Sequence, residues 1–227
     1  MIVETHGCAS LLFLYICGMK ILICDISEFG EEFVERCMGL LPDWRKEQML
    51  KIKHLNGRVQ CAVGFLLVWR RDENNSIPWR YNKYGKPYFA DRDDLFFSVS
   101  HCGSAVAVAI DDEEVGIDIE EIARYKERLI DYVANEAEGL ELREEFSNEL
   151  KAGKFIELWT KKEAVFKLLG TGITHDIKDI LKRDDFSVFS RKIGDKYLSV
   201  ASHKRLDNKE LIINDVTENV KKSVKIY

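Results

Sequence analysis

FFSVSHCGSAVAVAIDDEEVGIDIE, residues 96–120, is the stretch that decides the fold class. FFSVSH (96–101) reads as a short strand, and His101-Cys102-Gly103-Ser104 turns it. AVAVAI (105–110) alternates small and branched residues over a second strand. The acidic DDEE (111–114) turns the chain again, into VGIDIE (115–120) as a third strand. The expected arrangement is a β-meander.

Working outward, residues 20–26 read as a strand. Residues 30–41 read as a helix, with Phe29, Phe33 and Cys37 spaced by four. Pro42-Asp43 looks like a helix start with Asp43 as the N-cap, and an apolar helix is expected at 58–71. Asn74-Asn75-Ser76 with Pro78 marks a loop, and KYGKPY (83–88) a turn. Beyond the meander, helical patterns are expected at 124–150 and 155–169, with the GTG of 170–172 as the stop. FSVF, KYLSVAS and ELIIND follow as short strands. The fold class is α+β. Both halves run from helices into strands, so residues 19–120 and 121–227 are expected to form an N-terminal and a C-terminal half.

Composition excludes several classes. Twelve Phe, eight Tyr and four Trp supply enough burial to rule out a disordered chain. The net charge of −5 rules out a global polycation, so a phosphate-rich ligand needs a local basic patch, and no nucleic acid is expected as a partner. None of the six cysteines forms a CxxC pair, which argues against a zinc site; reduced thiols and a cytoplasmic location are expected. The apolar run LLFLYIC (11–17) is far short of the roughly 20 residues a spanning helix needs, so no membrane is expected. Met19-Lys20 opens MKILICDI, and residues 1–18 are expected to be an N-terminal extension upstream of a natural start at Met19.

Four constellations carry chemistry. Asp118 and Glu120, two apart on a strand, point the same way and can share a hard divalent cation such as Mg²⁺. Trp159, Glu163 and Lys167, spaced by four, share one helix face; Glu163 can supply a third carboxylate and Lys167 can neutralise a phosphate. Ser100-His101 ends a strand before a glycine turn, and His101 can donate to a phosphate. Arg45, Lys46, Lys51, Lys53 and Arg58 form a basic segment suited to anionic groups. Each has a plain alternative: a solvated strand face, a surface Glu-Lys pair, a structural histidine, a solvated basic helix.

Taken together, YGKP (84–87), FFSVSH (96–101), VGIDIE (115–120) and WTKKEAVFKLLGTG (159–172) are four collinear motifs. In this order the chain resembles the Sfp-type 4'-phosphopantetheinyl transferases over roughly residues 19–201. The resemblance implies the fold of that family: two similar α/β halves forming a pseudo-dimer in one chain, with coenzyme A bound between them. It implies transfer of the phosphopantetheine arm of coenzyme A to a serine of an apo acyl or peptidyl carrier protein, with release of 3',5'-ADP. Asp118, Glu120 and Glu163 would hold Mg²⁺ (or Mn²⁺), Lys167 would contact the pyrophosphate, and Glu163 would take the serine proton. Ser100 and His101 would meet the 3'-phosphate, Lys86 and Pro87 would flank the adenine nucleotide, and Arg45 and Arg58 would add phosphate-binding cations. An acidic residue after the junction would join the site, either Glu136 or Glu138. The implied enzyme is a monomer. The rivals are a non-catalytic module that holds coenzyme A or a carrier, and another Mg²⁺-dependent phosphotransferase or nuclease. A GxxxxGK[ST] phosphate loop is absent from the sequence.

Overall fold

The structure is a computed structural model, and it describes residues 18–69, 78–207 and 211–225. The apolar run at 11–17 and the loop residues 74–76 lie outside the described residues. The N-terminal elements are β1 (Lys20–Asp25), α1 (Glu31–Cys37), α2 (Asp43–Leu50), α3 (Leu55–Trp69), β2 (Trp79–Tyr81), β3 (Pro87–Phe89), β4 (Phe96–His101) and β5 (Ala105–Asp111). Then come β6 (Val115–Glu121), α4 (Ile130–Val133), α5 (Glu136–Glu144), α6 (Asn148–Leu169), β7 (Ser187–Ile193), β8 (Lys196–Ser202), β9 (Ile213–Asp215) and α7 (Thr217–Lys225).

The strands form one sheet of order β4-β5-β1-β9, a second of order β6-β8-β7, and a separate β2-β3 hairpin. All pairs are antiparallel except β1 with β9. The orders β4-β5-β1 and β7-β8-β6 are the same arrangement: the leading strand of each segment pairs with the second strand of a later hairpin.

The alternation in AVAVAI serves two cores at once. Val106, Val108 and Ile110 join the cluster built with α1, α2 and α3. Ala105, Ala107 and Ala109 face the other way, into a cluster with Ile117, Ile119, Leu198 and Val200 of the second sheet. Small residues on that side let the two sheets approach each other, and every residue of β5 is buried.

The meander holds for two strands and fails at the third. Both edges of β5 are already hydrogen-bonded, to β4 and to β1, so β6 cannot extend that sheet. It pairs instead with β8, which puts Asp118 opposite Ser199. The 124–150 helix is also corrected. The stretch breaks into 3-10 turns and two short helices, because Asn135 caps α5 in a capping box with Glu138. The next helix runs unbroken over 148–169 from a Ser147 cap. Pro42, and not Asp43, occupies the cap position of α2, and Asp43 is its first helical residue, paired with Lys46. Of ELIIND only Ile213–Asp215 is strand, and the helix α7 behind it carried no sequence expectation.

Helix α6 lies directly on β6. The contact is set by Gly116: a Cβ there would stand 1.9 Å from the Ala164 carbonyl oxygen and 2.4 Å from the Leu168 nitrogen. Ala164, Val165, Phe166 and Leu168 are all buried. Gly170 ends it in the left-handed conformation at φ 63°, as the GTG stop requires. Gly116→Ala is therefore expected to cost about 3 kcal/mol, since the clash is with backbone that cannot rotate away. A lower urea midpoint with unchanged slope would register it; an unshifted midpoint would contradict the contact.

Candidate active site

The close approach of α6 to β6 brings Asp118 beneath Lys167. Asp118 Oδ1 accepts from Lys167 Nζ at 2.6 Å and from Ser100 Oγ at 2.7 Å, and Lys167 Nζ also donates to Ser100 Oγ at 2.8 Å. Asp118 and Ser100 are buried. Three elements thus meet at one buried polar node: β4 supplies Ser100, β6 supplies Asp118, and α6 supplies Lys167.

Glu163 sits one helical turn before Lys167. Burial pushes its carboxyl up to about 7, the negative charges of Asp118 and Glu120 add to the shift, and Lys167 opposes it. The Glu120 carboxyl is raised as well, by burial first and by Asp118 among other charges, although the Glu121 amide donates to it at 2.9 Å. His101 is exposed at the end of β4. Its pKa lies below the usual histidine value, first through the protein around the ring and then through Lys167, while Asp118 pulls the other way. The Asp118, Glu120, Glu163, Lys167 and His101 side chains therefore share one electrostatic neighbourhood.

Among the described residues no three acidic, histidine or cysteine side chains form a ready-made metal cage. Asp118 is engaged by Lys167 instead. The donor chemistry nevertheless fits a hard dication: Asp118 and Glu120 both raise the Glu163 pKa, and bound positive charge would relieve that repulsion.

Beside this node lies a cavity of about 210 Å³. Its walls come from both parts of the chain: Tyr84, Gly85, Lys86 and Pro87 of the hairpin, Ser98 and Val99 of β4, Glu163, Phe166 and Lys167 of α6, and Gly170 and Gly172. The hairpin is fastened to the end of α6. Asn82 Nδ2 donates to the Gly170 carbonyl at 2.7 Å and Lys86 Nζ to the Leu168 carbonyl at 3.0 Å. A cation on the last carbonyls of a helix is favourable to its dipole. Lys86 also pairs with Glu114, so most of its charge is engaged before any ligand arrives. A second cavity, of about 300 Å³, opens on the other side of Lys86 and Pro87 above Phe89 and Phe97.

The basic segment divides. Arg45 is buried with its guanidinium 4.6 Å from the Trp79 ring centroid, donating to the Cys61 carbonyl at 2.8 Å and to Gln48 at 3.0 Å. Expected as a phosphate ligand, it is instead a core residue: its position on α2 turns it inward against aromatic rings. Arg58 is half-buried on the first turn of α3, its Nε donating to the Ile52 carbonyl at 2.8 Å. That end of α3 is tied to the turn after His101, through Asn56 to the Gly103 carbonyl and Gln60 to the Cys102 carbonyl.

Glu138 pairs with Lys162 at 2.7 Å, and Glu136 is exposed. Lys162 is fully buried and also donates to the Val133 and Lys178 carbonyls. Sequence reasoning passed it over. The signal was a lysine on the helix side shared with Phe155, Ile156 and Phe166, where an apolar residue belongs unless a buried partner awaits it. Asn82, Ser98 and Glu114 were also missed, since a polar residue in a turn or on a strand has no one-dimensional mark of its partner. Cys24, Cys37, Cys61 and Cys102 carry free thiols. No described helix is long and apolar enough to cross a membrane.

A sequence model described as the 4'-phosphopantetheinyl transferase superfamily matches residues 114–214, the span from the turn before β6 through β8 into β9. The 4'-phosphopantetheinyl transferase gsp of Aneurinibacillus migulanus is 38% identical over 100 residues, which is 44% of this chain and 41% of that protein. The 4'-phosphopantetheinyl transferase Sfp of Bacillus subtilis (strain 168) is 27% identical over 166 residues, 70% of each. The 4'-phosphopantetheinyl transferase psf-1 of Bacillus pumilus is 34% identical over 99 residues, 44% of this chain and 42% of that protein. Over residues 114–214 the chain is similar to the 4'-phosphopantetheinyl transferase superfamily, and the relatives it resembles include the Sfp-type members.

Lys162→Ala would strip Glu138 and two carbonyls of their shared donor in the interior. Loss of roughly 2–4 kcal/mol is expected, at the lower end because Glu138 keeps some contact with water. Thermal unfolding followed by far-ultraviolet circular dichroism would show it as a lowered Tm; an unchanged Tm would mean the ion pair is dispensable.

Proposed function

We propose that this protein transfers the 4'-phosphopantetheine arm of coenzyme A to a serine hydroxyl of an apo carrier protein and releases 3',5'-ADP. The observation that carries the reading is the convergence of Asp118, Glu163 and Lys167 beside a cavity also walled by Lys86 and Pro87. A phosphoryl transfer asks the protein chiefly to position groups and neutralise charge, and this set supplies both.

In this reading the serine oxygen attacks the β-phosphorus of coenzyme A, and the bond from that phosphorus to the bridging oxygen of the diphosphate breaks. The serine proton passes to Glu163, directly or through one water; a carboxylate whose pKa is raised to about 7 accepts a proton better than an ordinary one. Lys167 meets the diphosphate oxygens, leaving its resting contact with Asp118. His101 and Arg58 serve the 3'-phosphate, and Lys86 and Pro87 flank the nucleotide. Ser100 holds Asp118 and Lys167 in register from below. Asp118, Glu120 and Glu163 would hold Mg²⁺ or Mn²⁺, which when bound offsets charge on the transferring and leaving phosphates.

The two segments with matching strand order support a pseudo-dimer within one chain; β6 pairs in the second sheet, which moves the division between the halves from the expected 120/121 to the turn before β6. A chain of this kind builds its site alone and acts as a monomer in the cytoplasm.

The test is intact-protein mass spectrometry of apo acyl and peptidyl carrier proteins incubated with this protein, coenzyme A and Mg²⁺. A gain of one phosphopantetheine, lost with EDTA, is expected; no gain on any carrier overturns the reading. Asp118→Asn is expected to lower turnover by about a thousandfold while leaving the fold intact, since several kcal/mol of charge stabilisation go with it. Lys167→Ala is expected to slow transfer without weakening carrier docking. Near-normal turnover in either variant would remove that residue from the site.

A further inference from the structure

We propose that Ser98 is a positioning residue for the transfer reaction: its hydroxyl holds the backbone of β6 so that Asp118 stands in the site. The inference rests on the transferase reading above.

One edge of β6 is hydrogen-bonded to β8, and among the described residues no strand pairs with the other. The amides of Ile117 and Ile119, on either side of Asp118, point toward that open edge. Buried amides need acceptors. Ser98 and Ser100, two apart on β4 and so on one face, supply them: Ile117 N donates to Ser98 Oγ at 3.1 Å and Ile119 N to Ser100 Oγ at 3.3 Å. Two side-chain hydroxyls thus replace a backbone ladder and straddle the residue whose carboxylate the site depends on.

Ser100 also touches Asp118 and Lys167 directly, which makes it part of the site. Ser98 differs. It is 2% exposed, its hydrogen-bond partner in β6 is main chain, and it lines the cavity that Glu163 and Lys167 line. Without its hydroxyl the Ile117 amide would be buried and unsatisfied, and β6 would be released just before Asp118. A carboxylate displaced by a fraction of an ångström lowers the rate of the chemical step without weakening the parts of coenzyme A that bind elsewhere.

The experiment compares Ser98→Ala and Ser98→Thr with the wild type, in steady-state transfer and in amide hydrogen exchange by NMR. Ser98→Ala is expected to lower kcat roughly ten- to a hundredfold. Its KM for coenzyme A should stay within about twofold of wild type, since ground-state binding is untouched. The Ile117 amide should exchange faster. Ser98→Thr keeps the acceptor and should restore both kcat and the slow exchange. Should Ser98→Ala not fold, Ser98→Cys, close in size and a weak acceptor, takes its place with the same expectation. An unchanged kcat overturns the proposal. So does a raised KM with kcat intact, which would make Ser98 a substrate contact, and so does unaltered exchange at Ile117. If the wild type transfers nothing, the transferase reading falls, and the Ile117 exchange rate still decides whether Ser98 holds this strand.

Discussion

The structure depends on the contact of a helix with bare backbone. At Gly116 the strand carrying the acidic motif has no side chain, and α6 descends until the Ala164 carbonyl fills the space a Cβ would need. This close approach brings Asp118 of β6 within hydrogen-bond reach of Lys167 of α6. A methyl group between them would lift the helix and part the carboxylates from the lysine. The glycine in VGIDIE and the acidic residues behind it are thus one device. The first sets the distance across which the others act.

Two further fastenings surround that contact. On one side, the hydroxyls of Ser98 and Ser100 take the place of a strand partner for β6, so that sheets with no shared backbone ladder are joined by side chains. On the other, the β2-β3 hairpin closes the end of α6, with Asn82 and Lys86 donating to its last carbonyls. The cavity lies where the three meet, walled by residues from widely separated parts of the sequence.

The electrostatics carry a deliberate imbalance. Burial and mutual repulsion push the Glu163 and Glu120 carboxyls toward their protonated forms, and Lys167 supplies only part of the opposing charge. Elsewhere Lys162 has three acceptors, and Asp111 is paired with Lys204 through Oδ1 while its buried Oδ2 has no hydrogen-bond partner.

Much of this was written in local pattern. The AVAVAI alternation, the GTG stop and the i, i+4 spacing of Glu163 and Lys167 are short-range features, fixed by the geometry of strand, turn and helix, and they stand in the structure as read. So does the pairing of Asp118 with Glu120 on one strand face. What the sequence could not disclose was which edges were free. The third strand of the expected meander left for another sheet because β5 was already paired on both sides, a fact distributed over β1 and β4. Arg45 became a core residue, and Lys162 a buried ion, because their neighbours come from helices and loops far along the chain. Periodicity determines which face a residue occupies; only the packed chain decides what that face meets, because partners are chosen by proximity in space and not by spacing in sequence.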